Sequence, residues 1–425
     1  MDRDPRSGSA VLPPGLSLGR LPLVFGAAPV GGLYAPVSDE AAAETLQAAW
    51  AAGIRAFDTA PHYGAGLAER RLGEFLAGRP RDEFVVSTKV GRLLVPAAGD
   101  VDGAEGFYGT PPLTRIRDYS RDGVLRSLAE SLGRLGLDRV DIALIHDPDD
   151  FLRQAADGAY PALAELRSQG AVRAIGAGMN SATALTWLVE RCDVDCVLVA
   201  GRYTLLDDAA ADRLFPLCLR RGVAVLAGGV FNSGILAGPG DGATYDYAPA
   251  PPPLLDRARR MRDACARHGV PLPAAALQYT LRHPAVTAAV VGTRTPEEVT
   301  SDVSYLQTPI PDALWAELEA LLHDREAFWV SPGSAMYFVT ATRRAVHSKH
   351  ATARRKPDKP GIRQAWPLSP GSSCRVTPRF AGGNSTRSCD ETVVATLSGP
   401  EPLARLKIRR DHGISRVRSM VMAAV

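Results

Sequence analysis

Between residues 20 and 330 the chain repeats one arrangement eight times: a short β-prone apolar run, then a helix-length segment with one apolar face. The runs are Leu23 to Gly26, Arg55 to Asp58, Phe84 to Lys89, Val140 to His146, Ala174 to Met179, Cys196 to Ala200, Val223 to Ala227 and Ala288 to Val291. Leu46, Ala49, Trp50 and Ile54 form the stripe of a first helix, for which Asp39 is the expected cap. Leu72, Phe75 and Leu76 mark the second helix, and Leu125, Leu128, Leu132 and Leu135 a later one. Further helices are expected near Tyr160 to Gln169 and starting from Ser181, Ala209 and Leu254. Nearly continuous apolar strands that each lead into a helix indicate a parallel sheet covered by helices.

Eight such units in about 310 residues favour a closed (β/α)8 barrel, the TIM-barrel architecture, over an open doubly wound sheet. A dinucleotide-binding open sheet needs G-x-G-x-x-G directly after its first strand, and the sequence there reads AAPVGGLYAP. The organisation expected is a flexible stretch over 1–19, the barrel over 20–330 and a disordered basic extension over 331–425. With 46% hydrophobic and 22% charged residues the chain has material for a large core. The net charge of +3 conceals a division: from Pro332 onward there are 17 Lys and Arg against 5 Asp and Glu, which leaves the preceding part at −9. The extension, rich in Arg, Ser, Pro, Gly and Thr, shows no sustained hydrophobic period. Three readings of it stay open: a tether for phosphates, an inert extension, or the product of an altered reading frame. It has neither aromatic interleaving nor a binding motif, so nucleic acid is not an expected partner.

No long apolar run or signal-like N-terminus is evident, so a soluble cytoplasmic protein with no membrane partner is expected. The six cysteines are scattered, and Cys192 and Cys196 lack a second pair to complete a zinc site; reduced structural thiols and no metal are expected.

In such a barrel, polar residues that end strands converge on one mouth. Asp58 closes AFD, Tyr63 lies five residues on, Lys89 closes VVSTK and His146 closes DIALIH. Taken singly, each is an ordinary surface group. Together they form a proton-transfer set. A phenol is a weak acid, a neighbouring ammonium favours its phenolate, a carboxylate keeps that ammonium charged, and an imidazole orients a substrate oxygen. No nucleophile is needed, which points to proton transfer coupled to another event such as hydride transfer.

The segments AFDTAPHYGAGLAERRLGEFL, VVSTKVGR, IHDPD, AIGAGMN, FNSGILAG and VVGTRTPEEV, in that order and spacing, resemble the aldo/keto reductase superfamily over residues 20 to 330. The resemblance implies a metal-free NAD(P)-dependent oxidoreductase whose catalytic tetrad falls on Asp58, Tyr63, Lys89 and His146. The GAGMN and FNSGILA variants are most similar to its sugar-dehydrogenase branch. By resemblance, Asn180 holds the nicotinamide carboxamide, with helix capping as its alternative role. The loop carrying Ser233, Gly234 and Leu236 approaches the pyrophosphate through backbone N–H groups. Gly292, Thr293, Arg294 and Glu298, beside a helix start at Pro296, receive the adenosine side.

Glu298 disfavours a 2′-phosphate, so NAD is expected over NADP, with Arg294 as the opposing indication. Two positions depart from the pattern. Ala200 stands where many relatives have Gln, and Gly228 stands near the position of a stacking Tyr, for which Phe231 or Tyr203 are substitutes. The expected reaction is oxidation of the C1 hemiacetal of an aldose, such as L-fucose or a D-threo-aldose, to a lactone, with a small sugar or aldehyde as substrate. The alternatives are oxidation of a pyridoxal-type alcohol, general carbonyl reduction, or a non-catalytic cofactor-binding subunit.

Overall fold

Alternation with period two decides which face of each strand carries chemistry. The computed structural model describes residues 12–324 and three short segments, Cys374–Val376, Val393–Ser398 and Arg405–Arg409. In chain order the first unit contains β1 (Leu23–Gly26), α1 (Asp39–Ala51), β2 (Ala56–Asp58), α2 (Leu67–Leu76), β3 (Val85–Val90), β4 (Arg92–Pro96), β5 (Leu113–Arg117) and α3 (Arg121–Leu135). Next come β6 (Ile142–His146), α4 (Leu152–Gln154), α5 (Tyr160–Ser168), β7 (Ala174–Met179), α6 (Ala182–Arg191), β8 (Cys196–Ala200) and α7 (Leu214–Arg221). The unit ends with β9 (Ala224–Gly228), β10 (Thr244–Tyr245), β11 (Ala248–Pro249), α8 (Pro252–Arg267), α9 (Leu272–Leu281), β12 (Val286–Gly292), α10 (Pro296–Gln307) and α11 (Asp312–Leu322).

Eight of these strands close a parallel barrel in the order β1, β12, β9, β8, β7, β6, β3, β2, with β2 paired back onto β1. The expected (β/α)8 barrel is the observed fold. Val24, Ala56, Val85, Ile142, Leu144, Cys196, Leu198 and Leu226 fill its interior. The residues between them, Phe25, Phe57, Val86, Ala143, Ile145 and Val197, pack outward against the helices. Continuing the inward phase along each strand arrives at Asp58, Lys89 and His146. At Gly176 a Cβ would overlap the carbonyl of Cys196, so β7 and β8 approach more closely than a side chain permits.

Several details differ from the expectations. Ser38, not Asp39, caps α1, accepting from Ala41 N at 3.2 Å, and Asp39 is its first residue. Serine's short hydroxyl reaches that N–H from an extended backbone, while Asp39 instead holds Arg71. Of the stretch 1–19, the part from Leu12 on is packed. Leu12, Leu16 and Leu18 are buried against Val24, Val85 and Ile142 and close the barrel floor. The connection after β3 folds as an antiparallel hairpin of β4 and β5.

The expected disorder of the extension concerns residues outside those described. The exceptions are the three short segments β13 (Cys374–Val376), β14 (Val393–Ser398) and β15 (Arg405–Arg409), whose backbones pair antiparallel in a sheet of their own. Cys192, Cys196, Cys218 and Cys265 are buried free thiols, and Cys389 lies outside the described residues. Among the described residues no helix is long and apolar enough to cross a membrane.

Candidate active site

Lys89, fully buried, directs all three ammonium protons to named acceptors: Asp58 Oδ2 at 2.5 Å, the Thr59 carbonyl at 3.0 Å and the Tyr63 hydroxyl at 2.9 Å. Burial opposes the charge on Lys89, yet Asp58 and Tyr63 outweigh it and raise its pKa above the usual lysine value. Because the Tyr63 oxygen accepts from Lys89, its own O–H is left to donate elsewhere.

For Tyr63 the balance runs opposite to the expectation. Burial raises its pKa above the ordinary phenol value, and the attraction of Lys89, partly offset by Asp58, does not compensate. The phenol is therefore the resting form. His146 stands edge-on to Tyr63, with ring centroids 5.8 Å apart at 89°. Burial, then Arg92 and Lys89, hold its imidazole well below the ordinary histidine range, so it is neutral.

The site contains groups that strand-end reasoning missed. Arg92, first in β4, binds Asp147 at 2.6 Å, and Asp147 Oδ2 lies 3.4 Å from His146 Nε2. Asp147 has φ 41°, a left-handed conformation uncommon outside glycine and consistent with a functional constraint. Tyr119 donates to the carbonyls of His146 and Asp147 at 2.6 and 2.9 Å, fixing the end of β6. The sequence signal for these was the Arg directly after VVSTKVG and the Tyr before SRDG, both inside a stretch that had no assigned structure.

A cleft of about 550 Å³ runs from Asp58, Tyr63 and Asn180 to Gly292, Arg294 and Glu298. Asn180 lines it, and Ser181 caps α6 through Ala184 N at 3.2 Å, so the competing capping role is taken by its neighbour. Tyr247 lines the cleft beside Asn180. Ser233, with φ 59°, and Gly234, with φ 104°, also line the cleft. Leu236 does not: its side chain is in the core, and its N–H donates to the Phe231 carbonyl at 3.1 Å. Thr293 is buried and does not line the cleft either. Phe231 lines it, whereas Tyr203 packs away against Phe215 and Tyr279.

At the far end, Thr295 caps α10, accepting from Glu298 N at 3.3 Å, and Glu298 Oε2 accepts from Arg294 N at 2.6 Å. The fit to a dinucleotide is good. The Asn180 amide and Tyr63 share the cleft with the small residues Gly26, Gly228 and Gly229, and Glu297 and Glu298 of the α10 N-terminus line it as well. A second cavity, of about 460 Å³, lies among Arg55, Arg81, Arg139 and Arg173. Its Arg81 and Arg139 pair with Asp141 and Asp82, and it contains none of the tetrad.

The family model for aldo/keto reductases matches residues 22–323. The chain belongs to the aldo/keto reductase family. Among curated proteins it is similar to D-threo-aldose 1-dehydrogenase of a Pseudomonas species, at 46% identity over 70% of this chain and 92% of the relative. It is also similar to pyridoxal 4-dehydrogenase of Microbacterium luteolum, at 40% identity over 70% and 93%. The solved glycerol dehydrogenase of Gluconobacter oxydans shares the fold at TM-score 0.60 and 21% identity, over 78% of this chain and all of that one. This aldo/keto reductase is thus an oxidoreductase of CH–OH groups, in a family that uses a nicotinamide cofactor.

Proposed function

We propose that the protein oxidises the C1 hemiacetal of an aldose, such as L-fucose or a D-threo-aldose, to a lactone, with NAD preferred. The observation that carries this reading is the chain from Asp58 through Lys89 to Tyr63, set against the neutral imidazole of His146. A nicotinamide bound in the cleft supplies the hydride acceptor. Asn180 would hold its carboxamide, and the Ser233–Gly234 backbone its pyrophosphate. Tyr63, as its phenolate, takes the proton of the C1 hydroxyl and becomes the phenol, Lys89 favours that phenolate through its hydrogen bond, and Asp58 keeps Lys89 in place. Neutral His146 shares the substrate oxygen and orients it.

The NAD preference is supported by Glu297 and Glu298, which line the end of the cleft where a 2′-phosphate would lie. Arg294 offers less opposition than its charge suggests, because its guanidinium donates to the Leu33 carbonyl. The raised pKa of Tyr63 favours a second reading, aldehyde reduction at neutral pH, in which the phenol donates its proton.

The test is the absorbance of reduced nicotinamide with NAD or NADP and a panel of L-fucose, D-arabinose, L-galactose and pyridoxal. Turnover of a sugar with NAD, reduced at least about a hundredfold in Tyr63→Phe, is expected. Equal rates in the variant would remove Tyr63 from the chemistry.

A further inference from the structure

Around the Tyr63 ring the protein's own rings form a small enclosure in which one polar member has no assigned task. His62, immediately before Tyr63, has its ring centroid 5.6 Å from that of His146 and 6.1 Å from that of Tyr63. Phe107 covers the group, 5.2 Å from His62 and stacked on Tyr63 at 6.2 Å. Between β4 and β5, Glu105 is held in the left-handed region at φ 53° and brings Oε2 to 3.0 Å from His62 Nδ1. The carboxylate lies off the line of the ring N–H, and Nδ1 is buried against it. Arg92 and Arg115 flank the same oxygen at 3.7 and 3.9 Å.

These contacts are more than hairpin anchorage requires. Arg92 already binds Asp147, and Arg115 donates to the His62 carbonyl at 2.8 Å, a bond that any residue at position 62 would accept. A largely buried imidazole beside Phe107 costs desolvation that an apolar side chain would avoid, unless a ligand uses it. With Nδ1 facing a carboxylate the ring keeps its proton there, and Nε2 is left as an acceptor. Burial holds His62 at about 4, so this neutral form persists at physiological pH.

We propose that His62 is a specificity-determining residue, accepting a hydrogen bond from the substrate hydroxyl on the carbon next to the reacting one, with Glu105 as the positioning residue that fixes its tautomer. The ligand class is the 2-hydroxyaldehydes and their cyclic hemiacetals. The inference rests on the reading that the reacting oxygen sits between Tyr63 and His146. It does not depend on which sugar is the substrate.

The experiment uses the full chain with saturating nicotinamide cofactor and two substrate pairs: an aldose with its 2-deoxy form, and 2-hydroxypropanal with propanal. The hydroxylated member of each pair is expected to be favoured at least about tenfold in kcat/KM, because a site built to pair a hydroxyl discriminates against its absence. In His62→Leu the preference disappears, mainly through KM for the hydroxylated member. His62→Gln, which keeps an acceptor, retains part of the preference, and Glu105→Gln weakens it. Cofactor affinity, followed by fluorescence, is unchanged in all three variants.

A wild type with no preference in either pair, or a His62→Leu protein that keeps it, overturns the proposal. If His62→Leu does not fold, a full preference in both His62→Gln and Glu105→Gln overturns it equally. If no aldose is oxidised but the aldehyde pair shows a His62-dependent preference, the aldose reading fails while this inference stands.

Discussion

At Tyr63 two opposing effects act on one proton. The ammonium of Lys89, 2.9 Å away, favours the phenolate, and the burial of the ring disfavours it more strongly. Oxidation needs the phenolate to accept a proton, whereas reduction needs the phenol to donate one. The value of kcat/KM for oxidation should therefore still be climbing as pH passes the ordinary phenol value, while that for reduction stays level across neutrality. Profiles measured in both directions decide the matter, and an oxidation plateau beginning below about pH 9 would show that Lys89 outweighs burial. Residue types and order were enough to single out Asp58, Lys89 and His146, because an inward strand phase delivers them to one mouth, with Tyr63 in the loop that follows Asp58. The direction of the Tyr63 shift was not legible, since it depends on how much protein surrounds the ring.

At the level of elements, the N-terminal half of α10 combines two acids on one face. Asp302 is buried, and burial, reinforced by Glu298 four residues earlier, raises its pKa to about 7. The folded state then binds more protons than the unfolded chain between about pH 4 and 7, so stability falls as pH rises through that window. Asp302→Asn removes the penalty. Without cofactor, its excess stability over wild type should be nil below about pH 4 and reach a few kcal/mol above pH 7, read from denaturant midpoints. A difference that is constant with pH would mean that Asp302 does not titrate.

Elements also mark where sequence reasoning ran out. The stripes of α1, α2 and α3 were legible because each has a polar face, whereas LPAAALQYTL in α9 is apolar nearly all round and gives no period. Strands β4 and β5 were missed because Gly91 and a long polar connection separate them from the barrel pattern. The connection from Gly91 to Tyr119 was expected to shape the pocket, but its individual residues Arg92, Glu105 and Phe107, which stand around His62, Tyr63 and Asp147, were not singled out.

On the scale of the whole molecule the barrel separates stability from chemistry. Asp58, Lys89 and His146 occupy the C-terminal ends of β2, β3 and β6, and Tyr63 the loop after β2. At the opposite end, Asp141 and Asp195 staple neighbouring strands. Asp141 Oδ2 accepts from Val86 N at 2.9 Å and Asp195 Oδ2 from Ile175 N at 3.0 Å, and each is also bound by an arginine. Below them Leu12, Leu16 and Leu18 shield the lowest interior layer from water. Removing a buried leucine side chain costs the lost transfer energy and leaves a cavity, on the order of 2–4 kcal/mol at a site of this kind. Leu16→Ala should therefore lower the free energy of unfolding by that amount, read from a lowered denaturant midpoint, while kcat/KM, measured well below the transition, stays within about twofold of wild type. The two ends are joined by eight continuous strands, so the comparison also tests how rigidly the barrel holds its mouth. A large fall in kcat/KM in a variant that is still fully folded would show that the floor controls the position of Lys89 and His146. An unchanged midpoint would show that the leucines lie on the floor without sealing it.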